Sequence, residues 1–155
     1  MLPDVASVQM HPTGPETLLL RLSASSGQML LNTQRVARLH FTAASAQRSA
    51  FVPLSVVNLE CIRSSPGLTP TPLANDGRVV VIGGQPLLEG RVGPKGEREL
   101  ILYGQPGARY QLDSSLNPDD PQAWRPWQES LLTNLFQILP IGSETLSPIF
   151  YRARE

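Results

Sequence analysis

The sequence predicts an all-β protein built as two small antiparallel β-sandwich modules. Fifteen prolines and twelve glycines stand at short intervals along the 155 residues, so few windows are long enough for an uninterrupted amphipathic helix. Short apolar or alternating stretches fill the spaces between these turn residues, which is typical of strands. Hydrophobic residues make up 41% of the chain, and this is enough to bury a core.

The clearest alternating stretch runs from Arg35 to Phe41. Ala37, Leu39 and Phe41 share one face, which we expect to be buried, and His40 lies on the other face toward solvent. The remaining strand candidates are, in chain order, Thr17 to Leu22, Phe51 to Cys61, Arg78 to Ile82, Glu99 to Tyr103, Arg109 to Asp113, Trp124 to Glu129, Leu131 to Leu139 and Ile149 to Ala153.

A turn is predicted at Asn75-Asp76-Gly77, since all three residue types tolerate positive φ and an apolar run follows at once. A module boundary is predicted near Gly83-Gly84-Gln85-Pro86. Seven of the nine aromatic residues and nine of the thirteen acidic residues lie in the last 67 positions. The predicted modules are therefore residues 1–86 and 87–155, joined by a short linker.

Charge and single residue types exclude several functions. Thirteen basic and thirteen acidic side chains cancel, so the cationic surface of a nucleic-acid-binding protein is not expected. No apolar stretch approaches the roughly 18 residues of a membrane span. Cys61 is the single cysteine, which rules out an intramolecular disulfide, and we expect a buried, inert thiol there.

The first module carries a family resemblance in three segments: Arg35 to Ala43, Ala50 to Leu59 and Asn75 to Ile82. Together they resemble the C-terminal half of a cohesin-type, immunoglobulin-like β-sandwich, a fold related in architecture to carbohydrate-binding modules. The strands that normally precede this half either lie upstream of Met1 or are replaced by Pro3 to Met10. If they are missing, the resemblance implies an open strand edge and self-association.

The second module is similar to a small β-sandwich that closes many large secreted or surface proteins of bacteria. The segments that carry this resemblance are Glu99 to Leu116, Trp124 to Trp127 and Ile149 to Arg154. It implies an extracellular or cell-surface protein in which this chain is part of a longer precursor. The chain has no signal peptide, so the expected location is the cytoplasm if Met1 is the true start.

No arrangement of catalytic residues stands out, and we expect neither an enzyme nor a bound cofactor. His11 and His40 are the only imidazoles and lack an accompanying nucleophile motif, and the Gly-rich stretches lack the ending of a phosphate loop. Asp113, Asp119 and Asp120 offer oxygen ligands for calcium, but a solvated Asx turn before Pro121 is the simpler interpretation. No metal ligands are assigned.

The two tryptophans are the best candidates for contact with a partner. Residues three apart on a strand project to opposite faces, so Trp124 and Trp127 do not share one core. We assign Trp124 to the core, and Trp127 with Arg125 to a surface that contacts a protein partner or a sugar ring. Packing of Trp127 beneath the loop at Pro118 to Pro121 is the alternative.

These observations predict a non-catalytic, cohesin-like interaction or structural module that mediates protein–protein assembly. The alternative function is a carbohydrate-binding module with polysaccharide as its ligand. Nucleic acid and membrane-spanning roles are not expected.

Overall fold

The computed structural model describes residues 5–24, 38–44, 46–61, 71, 73–141 and 148–155. This part of the chain is all-β, as predicted, with no α-helix and several small antiparallel sheets. One 3-10 turn among these residues spans Pro121–Ala123. The strands are β1 Val5–Pro12, β2 Leu18–Ala24, β3 Ala50–Leu54, β4 Gly77–Val81, β5 Leu87–Val92, β6 Arg98–Tyr103, β7 Arg109–Ser115, β8 Arg125–Leu131, β9 Phe136–Ile141 and β10 Phe150–Arg154.

The chain divides into two compact units, Met1–Thr42 and Ala43–Glu155. In the first unit, β1 and β2 form an antiparallel hairpin. The hairpin is closed by the backbone N–H of Thr13, which donates to the carbonyl of Thr17 at 3.0 Å. The predicted division into modules 1–86 and 87–155 stays a prediction.

A two-stranded antiparallel sheet, β3-β4, begins the second unit. The turn residues before β4 work differently from the prediction, because none of Asn75, Asp76 and Gly77 has positive φ. Instead the carboxylate of Asp76 accepts hydrogen bonds from the backbone N–H of Val56 at 2.9 Å and the hydroxyl of Ser55 at 3.2 Å. Asp76 thus ties the end of β3 to the start of β4 through its side chain.

Two three-stranded sheets supply the main core. Their strand orders are β5-β6-β9 and β10-β7-β8. Side chains alternate between the two faces of β6 and β7, and one face of each strand contributes to a common apolar cluster. The cluster draws on both sheets and consists of Leu100, Leu102, Tyr110, Leu112, Leu132 and Leu139. A sandwich or immunoglobulin-like topology stays a prediction.

A close approach between Gly104 and Tyr110 fixes the loop between β6 and β7. A Cβ atom on Gly104 would lie 2.6 Å from the Tyr110 hydroxyl oxygen, so only glycine fits without displacing the buried ring. That hydroxyl accepts a hydrogen bond from the backbone N–H of Gln105 at 2.9 Å. Tyr110 therefore connects the core, which its ring helps to form, to the loop, whose backbone its hydroxyl contacts.

Several predictions from the sequence were wrong. Residues 38–41 are not in a strand, and Leu39 and Phe41 are exposed; His40 is exposed as predicted, while Arg35 to Ala37 lie outside the described residues. The segment from Ser55 to Cys61 is not a strand, and Cys61 is exposed. β5 is not among the predicted strands, and β1 overlaps Pro3 to Met10, which the sequence analysis considered only as a replacement for the missing strands of the first module.

Candidate interaction surfaces

The hairpin β1-β2 has one face that is entirely apolar. Cross-strand partners lie on the same face of a sheet. The pairs Val8–Leu22, Met10–Leu20 and Pro12–Leu18 therefore form one face, and Ser7–Ser23, Gln9–Arg21 and His11–Leu19 form the other.

Most of the apolar face is open to solvent. Met10 is 56% exposed, and Val8, Leu18 and Leu20 are also exposed. A contiguous exposed apolar surface is one of the features by which interaction sites are recognised, so this face is a candidate. We refer to the six residues Val8, Met10, Pro12, Leu18, Leu20 and Leu22 as the hairpin face.

A different surface lies on the outer side of the sheet β10-β7-β8. Asp113 of β7 is only 2% exposed, and its Oδ2 atom accepts hydrogen bonds from the Nε atoms of Arg152 and Arg154, both at 3.0 Å. Arg152 stands directly opposite Asp113 in the strand pairing, and Arg154 is its diagonal neighbour. The alternation of β10 thus places two cations beside one buried carboxylate.

Two opposing effects act on the pKa of Asp113. Burial alone would raise it, but the hydrogen bonds from Arg154 and Arg152 and their positive charges outweigh burial and lower the pKa below that of an ordinary aspartate. Asp113 is therefore ionised at neutral pH. Its second oxygen, Oδ1, is buried without a hydrogen-bond partner among the described residues.

The two tryptophans lie on opposite sides of this sheet, as predicted, but their roles are exchanged. Trp127 packs against the core cluster, with its ring edge-on to Tyr151 at a centroid distance of 5.0 Å. Trp124 lies on the outer side, where the guanidinium of Arg152 stands 4.4 Å from its ring centroid. The assignment of Trp124 to the core and Trp127 to the surface was wrong in this respect.

A register shift in β8 explains the exchange. Leu112 pairs with Gln128, and the next residue, Asp113, pairs with Pro126, so Trp127 is an extra residue in the strand. Plain alternation from Gln128 would point Trp127 away from the core, and the bulge turns it inward. Both tryptophans remain partly exposed, and contact of Trp127 with a partner stays a prediction.

Arg125, the other predicted contact residue, is exposed at the start of β8. Its Nη1 atom donates to the carbonyls of Gln122 at 2.6 Å and of Trp124 at 3.3 Å. The side chain therefore closes the 3-10 turn, and its contact with a partner also stays a prediction.

The acidic loop forms the predicted Asx turn: the Asp120 carboxylate accepts a hydrogen bond from the backbone N–H of Gln122 at 2.8 Å, and Asp119 is exposed.

A third cluster, which the sequence analysis did not identify, joins β4 to the sheet β5-β6-β9. Glu89 forms an ion pair with Arg78 and accepts a hydrogen bond from the Tyr103 hydroxyl at 2.9 Å. The hydrogen bond from Arg78 lowers the pKa of Glu89 despite partial burial. Phe51 packs edge-on to Tyr103 at 5.6 Å, beneath the Arg78 guanidinium. These contacts tie β3 and β4 to the sheet β5-β6-β9.

Two further observations concern the described residues alone. They contain no group of three or more His, Cys, Asp or Glu side chains that would hold a metal ion. No helix among them is long and apolar enough to cross a membrane.

Comparison of the chain with known protein families, with curated proteins and with solved structures found no match. The class that the structure defines is therefore an all-β protein of small antiparallel sheets, and the cohesin-like resemblance remains an interpretation of the sequence.

Proposed function

We propose that this chain is a non-catalytic interaction module that mediates protein–protein assembly, as part of a bacterial extracellular or cell-surface protein. The observation that carries the proposal is the exposed hairpin face. The proposed location rests on the sequence resemblance of residues 89 to 154 alone.

An isolated two-stranded hairpin is at best marginally stable in water and gains stability when a further layer covers its apolar face. Each large aliphatic side chain buried there contributes about 1.5–3 kcal/mol. The hairpin face carries no charge, so its partner surface must also be apolar. A second copy of the chain supplies such a surface, and because the chain has zero net charge, two copies do not repel each other strongly.

The test places charges on the two faces of the hairpin in turn. Met10→Glu with Leu20→Glu puts two carboxylates directly opposite each other on the hairpin face. We expect the wild-type protein to associate with increasing concentration in sedimentation velocity. This double variant should associate at least about tenfold more weakly, because charge in an apolar interface is costly to desolvate.

The matched control is Ser7→Glu with Ser23→Glu, which adds the same charges at a directly opposed pair on the polar face. It should associate like the wild type. Circular dichroism of all three proteins verifies that they remain β-structured. A wild type that stays monomeric at every concentration, or equal weakening by both double variants, would contradict the proposal.

The alternative proposal is a polysaccharide-binding module. Its support is the partly exposed Trp124 on the outer side of the sheet β10-β7-β8 beside Arg152, since aromatic and arginine side chains together form common binding surfaces. Depletion of the protein from solution by insoluble polysaccharides, or a mobility shift in gels that contain soluble ones, tests this function. Depletion by one polysaccharide and its loss in Trp124→Ala would favour it over assembly.

A further inference from the structure

The strand β10 forms one edge of the sheet β10-β7-β8 and pairs with β7 alone; β5 of the other sheet comes close to it without a strand pairing. Within the described residues, its backbone makes no other hydrogen bonds. Every second N–H and C=O of an edge strand points away from the sheet, and such a row of unpaired groups accepts an additional strand.

The side chains of β10 alternate between two environments. Tyr151 and Ala153 pack against the core cluster, whereas Phe150, Arg152 and Arg154 are exposed on the outer side. Arg152 and Arg154 are thus about 6.8 Å apart along the strand, the spacing of alternate residues in any extended chain.

Both guanidinium groups are held in place and retain donors for a ligand. Each donates its Nε–H to Asp113, while their Nη atoms make no hydrogen bonds to the described residues. Arg152 is held further by stacking on Trp124. Two cations share one carboxylate, so Asp113, Arg152 and Arg154 together keep an excess of one positive charge. Because the arginine side chains are already ordered, a ligand loses less free energy to ordering them when it binds.

We propose that the edge of β10 accepts an extended acidic segment of a partner protein as an additional strand. Carboxylates at alternate positions of that segment would lie across from Arg152 and Arg154, at the spacing that the two arginines already have. Opposite charges paired across neighbouring strands are favourable, and arginine donors suit carboxylates. The side chains between the carboxylates would lie on the same side as Tyr151 and Ala153, so apolar residues fit there.

The experiment measures binding of synthetic peptides to the full chain by calorimetry. One peptide alternates glutamate with valine, a second replaces each glutamate by lysine, and a third keeps the glutamates but carries N-methyl groups on alternate backbone nitrogens. We expect the glutamate peptide to bind, with affinity that falls as salt rises. The lysine peptide should not bind, and the N-methylated peptide should bind at least about tenfold more weakly, because it cannot form the strand ladder.

Variants locate the site. Arg154→Gln should weaken binding of the glutamate peptide about tenfold, and Arg98→Gln, an exposed arginine of β6, is the matched control that should leave binding unchanged. Removal of Arg154 leaves Arg152 on Asp113, and a circular dichroism spectrum verifies the fold. The peptide series on the wild type does not depend on any variant folding.

Each outcome bears on the proposal. No binding of the glutamate peptide overturns it, as does equal binding of the N-methylated peptide, which would mean that charge acts without strand addition. Displacement of the peptide by a polyuronic acid that itself binds more tightly would assign the arginines to an acidic polysaccharide instead. Peptide binding at β10 does not involve the hairpin face. Met10→Glu with Leu20→Glu should therefore leave peptide binding unchanged, so this proposal and the proposed assembly can fail separately.

Discussion

Replacing Leu112 by alanine is expected to lower the free energy of unfolding by about 3 kcal/mol. Leu112 is 0% exposed and lies in the cluster to which both three-stranded sheets contribute. The substitution removes its apolar contacts and leaves a cavity that the flanking strands close only in part. Urea denaturation followed by circular dichroism measures the change.

Leu116, four residues further along the chain, provides the control. It is 68% exposed just beyond the end of β7, so Leu116→Ala should change the stability by less than about 0.5 kcal/mol. If the two substitutions lowered the stability equally, Leu112 and Leu116 would not differ in burial in solution, which would contradict this prediction.

Replacing Asp113 by asparagine is expected to cost about 2 kcal/mol at pH 7. The amide keeps the shape of the side chain but removes the charge to which Arg152 and Arg154 donate. Partial exposure of both arginines allows water to screen them, which keeps the cost below that of a fully buried ion pair. Asp119→Asn, at an exposed carboxylate, should be close to neutral.

The same substitution has a predictable pH dependence. The folded-state pKa of Asp113 is lowered, so its contribution to stability is present above the unfolded-state pKa of about 4 and is lost as the pH falls through the folded-state value. The stability difference between the wild type and Asp113→Asn should therefore shrink below about pH 4. A difference that stays constant down to pH 2 would contradict the assignment of the lowered pKa.

The parts of the fold that followed from local pattern were predicted well. β6 is a short apolar run and β7 a short mixed one, and their predicted bounds, Glu99 to Tyr103 and Arg109 to Asp113, differ from the observed strands only at the ends. The stretch from Arg35 to Phe41 alternates, yet residues 38–41 are not in a strand. Alternation gives a strand only when a neighbouring strand completes its hydrogen bonds, and that pairing is not encoded locally.

The candidate interaction surfaces were harder to predict, because each depends on register. The hairpin face exists because Met10 stands opposite Leu20, and the pairing of β1 with β2 was not predicted. The contact between Asp113 and the two arginines of β10 requires Asp113 and Arg152, which are 39 residues apart in the chain, to come together. The bulge that exchanges the roles of Trp124 and Trp127 leaves no signal in composition or spacing. Trp127 and Arg125 were chosen as contacts from residue type, whereas the contact of Arg152 with Trp124 joins two segments that are distant in the sequence.

The positions of the two tryptophans have a spectroscopic consequence. Tyr151 and Arg152 are adjacent on β10, and they contact Trp127 on one side of the sheet and Trp124 on the other. Both indoles of the chain therefore report on a single strand, since detachment of β10 would remove a cation from one and an aromatic neighbour from the other. The tryptophan fluorescence of this protein is thus a probe of whether β10 is paired with β7. A strand that joins the edge of β10 is expected to change that fluorescence without unfolding the core.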